Sequence, residues 1–141
     1  MDLGNVRMEY MSQFCLSEYE KAFLCRIIEN NIIWKEYLIE QIENSIIVSR
    51  DNTGCGCYID FQVNLERTNL NKYENIPIFF EGDITAPDKS DAATFLLYTT
   101  ESLNKAGRII DFLEVAIAGT NYDEVEVYSW LKMENSLRFG L

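Results

Sequence analysis

"SIIVSRDNTGCGCYIDFQV", residues 45–63, is the stretch on which the fold turns. Ahead of it apolar residues recur at helical spacing; from Ser45 onward the period drops to two. "SIIVSR" is a β-branched run. "CYIDFQV" alternates, with Cys57, Ile59, Phe61 and Val63 directed inward and Tyr58, Asp60 and Gln62 outward. Gly54 and Gly56 suit a turn and a bulge. Strand patterns return at 78–86 ("IFFEGDITA"), 93–100 ("ATFLLYTT") and 108–117 ("RIIDFLEVAI"), and more weakly at 124–132 ("EVEVYSWLK"). The loop "ESLNKAG", residues 101–107, joins the fourth and fifth strands as a hairpin.

Upstream, "LSEYEKAFLCRIIENN" reads as an amphipathic helix. Ser17 with Glu20 three residues later fits a capping box, and Asn30-Asn31 interrupts the pattern. "IIWKEYLIEQIEN" resumes it, with Trp34, Tyr37, Leu38 and Ile42 on one side. Helices first and strands after predict an α+β domain: two N-terminal helices packed on a mainly antiparallel sheet of about five to six strands. No repeat or linker divides the chain. We therefore expect one domain over 1–141, with a helical hairpin at about 16–44 and the sheet at about 45–132. The polar stretch 64–77 is long for a structureless connection, and such loops are often functional or mobile.

At 141 residues, 48% of them apolar, the chain can build a real core. Its 23 acidic against 12 basic residues leave a net charge of −11, and there is no histidine. That field repels nucleic-acid phosphates and anionic membranes and attracts basic partners. The N-terminal "MDLGNVRMEYMSQF" lacks the basic and apolar regions of a secretory signal, and no apolar run is long enough to cross a bilayer. Four cysteines in that setting are expected to be free thiols in the cytoplasm.

Residues able to do chemistry are few. Cys55 and Cys57 lack the partners of a zinc site or a Cys-x-x-Cys pair, so we expect small core residues on one strand face and no metal or other cofactor. Glu81 with Asp83, and Asp111 with Glu114, could serve as an acid–base pair or as ligands of a divalent cation in a small hydrolase or lyase. In so acidic a chain they are also simply solvated faces. Residues 81–126 hold ten acids and three bases, including Lys105. Within "TNYDEVEVYSW", Tyr122, Tyr128 and Trp130 interleave with Asp123, Glu124 and Glu126. Aromatic anchors beside acids suit the docking of a basic protein. A charge-protected edge strand, or a homodimer contact of a structural or regulatory module, would look alike.

Taken in order, "IIVSRDNTGCGCYIDFQV", "FFEGDITA" and "FLLYTTESLNKAGRIIDFLEVAIAGTNYDE" resemble a small bacterial α+β family. Its members read V-S-R-x-x-T-G-x-G-F-F-x-x-F, then G-D-V-x-A, then a G-x-[IL]-D-F-L-E strand. The resemblance covers residues 45–124, with Val115 standing where the family has glycine. The family's residues at positions 55 and 57 are apolar, which implies packing there. Such domains are similar to immunity proteins of polymorphic toxin and contact-dependent growth inhibition systems. The resemblance therefore implies a non-enzymatic protein that binds and neutralises a cationic, nuclease-like toxin domain. The acidic and aromatic pattern, not the resemblance, supplies the candidate contacts: Glu81, Asp83, Asp111, Glu114, Tyr122, Asp123, Glu124, Glu126, Tyr128 and Trp130.

Overall fold

The computed structural model describes residues 15–104, 107–118, 122–134 and 139–141. The N-terminal stretch read above and Lys105 lie outside them. Helix α1 (Glu18–Asn30) begins as expected: Glu20 N–H donates to Ser17 Oγ at 3.2 Å, and Ser17 N–H donates to Glu20 Oε1 at 2.7 Å. It stops at Asn31, whose side-chain amide donates to the Ile27 carbonyl at 2.8 Å and to the Glu81 carbonyl at 3.0 Å. One residue thus caps the helix and moors it to the sheet. A single 3-10 turn (Ile32–Trp34) leads to α2 (Lys35–Glu43).

Five strands follow the helical layer: β1 (Ser45–Asn52), β2 (Gly56–Val63), β3 (Phe79–Thr85), β4 (Ala92–Glu101) and β5 (Arg108–Ile117). They form one antiparallel sheet in the order β1-β2-β5-β4-β3, so β5 inserts between β2 and β4. The α+β architecture is as expected, with one element changed. "EVEVYSWLK" is not a sixth strand: residues Glu124–Met133 form a helix, α3, and the sheet ends at Ile117 rather than near 132. Asp123 decides this by capping α3, its Oδ1 accepting from Val125 N–H at 3.0 Å and Glu126 N–H at 3.3 Å.

The three helices lie on one face of the sheet, where Ile59, Phe61, Phe80, Ile84, Phe95, Leu97, Leu113 and Val115 meet Phe23, Leu24, Ile27, Tyr37, Leu38, Val127 and Leu131. Phe23 stacks on Phe95 at 4.9 Å. Each such side chain, fully buried, stabilises the fold by about 1.5–3 kcal/mol before entropy is counted. Gly82 sets how closely α1 approaches β3: a Cβ there would come within 3.0 Å of the Ile27 nitrogen. The 64–77 connection is tied down rather than loose. Leu70 is buried in the core, Tyr73 Oη donates to Glu40 at 3.2 Å, and Lys72 bridges Glu36 and Glu40.

The β4–β5 pairing slips by one residue: Tyr98 faces Phe112, but Thr99 faces Ile110. This bulge leaves Asp111 unpaired and turns it to the same side as Phe112, between the buried Ile110 and Leu113. Beneath it the fully buried Gln41 accepts the Ile110 N–H at 3.1 Å. No helix among the described residues is long and apolar enough to cross a membrane.

Candidate partner-binding face

Because all three helices pack on one side, the sheet's other side carries no covering element among the described residues. Strand alternation sends Phe79, Glu81 and Asp83 of β3 outward, with Leu96 and Tyr98 of β4, Phe112 and Glu114 of β5, and Tyr58 and Asp60 of β2. Register then aligns them. Phe79 pairs with Tyr98, Tyr98 with Phe112, and Phe112 with Asp60. One position along, Glu81 pairs with Leu96, Leu96 with Glu114, and Glu114 with Tyr58.

The result is a row of four rings across four strands. Tyr98 and Phe112 stack at 4.5 Å with planes 18° apart; Tyr58 flanks Phe112 at 6.2 Å and Phe79 flanks Tyr98 at 6.0 Å. Phe79 is 48% exposed and Tyr58 37%. Five carboxylates frame the row: Asp60, Glu81, Asp83, Asp111 and Glu114. The Tyr58 hydroxyl donates to Glu114 Oε1 at 3.4 Å, and that carboxylate holds the phenol protonated beyond the usual tyrosine range. Partial burial, and then the like charge of Asp60, raise the Asp111 carboxyl above the ordinary aspartate value. Asp60 in turn accepts the hydroxyl of Ser49 on β1.

No strand cation offsets these charges. Arg50 and Arg108 are the strands' two basic residues. Arg50 turns to the helical side, pairing with the buried Glu20 through Nε at 2.7 Å and Nη2 at 2.9 Å, and donating to the Cys15 carbonyl at 2.6 Å. Burial opposes ionisation of Glu20, but the hydrogen bonds from Arg50 and Ser17 outweigh it and hold the carboxyl below its usual value. Arg108 donates to Thr99 Oγ1 at 2.8 Å and to the Thr99 carbonyl at 2.7 Å.

The ten expected contact residues therefore divide. Glu81, Asp83, Asp111 and Glu114 share the outer sheet face. Tyr122, Asp123, Glu124 and Glu126 lie on the helical side, around a cleft of about 800 Å³ between the α3 N-terminus, Arg50–Asn52 and Cys57. Burial and then neighbouring Glu20 and Asp123 raise the Glu124 carboxyl there. Tyr122 is half-buried, its hydroxyl accepting from Cys57 Sγ at 3.6 Å. Tyr128 packs edge-on against Tyr19 at 5.0 Å, with Lys132 Nζ 4.7 Å from its ring centre. Trp130 is 5% exposed and belongs to the core, so it is corrected from surface anchor to packing residue.

Cys57 packs half-buried against the core as expected, whereas Cys55 precedes β2 and is exposed, which corrects its assignment. Gly56 is no bulge. It pairs regularly with Ala116, and a Cβ there would meet the Val115 carbonyl oxygen at 2.0 Å. Among the described residues, no three Cys, Asp or Glu side chains converge as metal ligands would. The aromatic row, with Asp60 beside it, is not apparent as a site in the linear sequence. The only signal was the outward alternation of Tyr58, Asp60, Phe79 and Tyr98. No protein-family model, curated protein or solved structure matches the chain.

Proposed function

We propose that this protein is an acidic binding protein that captures and neutralises a cationic protein domain, as an immunity protein does its cognate toxin. One observation carries the reading. Every charged strand side chain on the uncovered sheet face is a carboxylate, while of the two strand arginines Arg50 is engaged with Glu20 on the helical side and Arg108 with the buried Thr99. A face so one-signed is costly to keep together, because like charges repel, and it favours encounter with a cation-rich surface. The net charge of −11 extends that attraction beyond the contact itself. The family resemblance of residues 45–124 supports the same reading.

Co-expression with the polypeptide encoded immediately upstream of this gene tests it. The expected result is relief of that polypeptide's toxicity and a complex whose association slows steeply as salt rises. If no complex forms and toxicity persists, the reading is wrong.

A further inference from the structure

We infer that the partner docks flat on the outer face of the sheet, with the stacked Tyr98–Phe112 pair as its anchor, and that it is a folded cationic protein whose contact patch sets apolar side chains among arginines or lysines. This rests on the binding reading above and adds the surface and the partner's chemistry.

The composition of the face is that of an interface centre and rim. Binding energy at protein interfaces concentrates in a few aromatic anchors, surrounded by polar groups that exclude water and set the encounter. Here Tyr58, Phe112, Tyr98 and Phe79 cross four strands as one unbroken row, with carboxylates at both sides. Charge decides the occupant. Nucleic acid and anionic lipid would be repelled, and a second copy of this chain would bring carboxylate against carboxylate. A cationic protein meets both the rings and the acids.

The face is also preformed. Its side chains stand on paired strands, the central rings stack on each other, and the Tyr58 hydroxyl is bound to Glu114, so little ordering remains to be done on docking. On the helical side the candidate contacts are instead committed within the fold. Asp123 is engaged in capping α3, Tyr122 in its contact with Cys57, and Trp130 in the core.

The test uses the full chain and the domain encoded upstream of it, purified in a catalytically inactive form, with association and dissociation read separately. Tyr98→Ala should speed dissociation by about tenfold or more. Phe79→Ala, at an exposed position where folding is not at stake, should speed it by about threefold or more. Asp60→Lys with Glu114→Lys should slow association at low salt by about tenfold and flatten its salt dependence. Glu124→Lys with Glu126→Lys, on the helical side, should change dissociation less than about twofold. Wild-type binding with the outer-face variants unaffected and the α3 variant impaired would overturn this inference and leave the binding reading standing. Absence of wild-type binding would overturn both.

Discussion

Cys55 lies open to solvent just before β2, whereas two residues on the Cys57 thiol is half-buried beneath the Tyr122 hydroxyl. Burial raises the Cys57 thiol above its usual value, outweighing the Tyr122 contact, and Cys25 is buried in α1. Only the thiolate attacks an alkylating reagent, so access and ionisation set the order of reaction. Under native conditions at mildly alkaline pH, iodoacetamide should modify Cys15 and Cys55 first, with Cys25 and Cys57 slower by about tenfold or more. Intact-mass measurement should show two adducts accumulating before a third. Four adducts forming together would contradict the packing of Cys57. The inward direction of Cys57 was legible from the period of two alone. That of Cys55 was not, because alternation governs a residue only once the strand has begun, and β2 begins at Gly56.

At the level of elements, α3 shows what a local pattern conceals. "EVEV" alternates like a strand, yet Val127, Trp130 and Leu131 fall at helical spacing and are the residues α3 buries. Asp123 followed three residues later by Glu126 has the form of a helix start, and the Asp123 cap is present. The signal for helix was in the sequence; the alternating acids masked it. Asp123→Ala should cost about 1 kcal/mol of stability, read as a lowered urea midpoint with an unchanged slope, because two orphaned N–H groups lose their acceptor. A change of a few tenths or less would mean that packing alone defines the end of α3. The aromatic row was beyond local reading for another reason. Outward directions can be read strand by strand, but which strands are neighbours depends on β5 inserting between β2 and β4. The bulge that turns Asp111 outward has no signature within "RIIDFLEV" that sets it apart from simple alternation.

For the whole molecule, the outer face combines attraction and repulsion, and pH shifts the balance. Apolar rings on an uncovered sheet favour contact with any apolar surface, another copy included. At neutral pH that contact would juxtapose carboxylates, each pair opposed by about 1 kcal/mol at 4 Å in water. Protonation removes the opposition. Asp111, its carboxyl raised by burial and by Asp60, takes up a proton ahead of an ordinary aspartate as pH falls, and net charge vanishes near the isoelectric point of about 4.4. The sign is therefore opposite for the two kinds of partner. Lowering the pH toward ~5, where carboxylates start to protonate, should weaken binding of a cationic domain and promote self-association of this chain. Sedimentation velocity should show a monomer at pH ~7.5 and reversible association at pH ~5. Salt near 1 M, which shortens the screening length to about 3 Å, should act in the same direction at neutral pH. Tyr98→Ala should suppress association under both conditions, and Glu124→Lys with Glu126→Lys should not, because those acids lie on the helical side. Association that persists unchanged in Tyr98→Ala would locate the adhesive surface elsewhere, and the carboxylates of the outer face would then serve solubility alone.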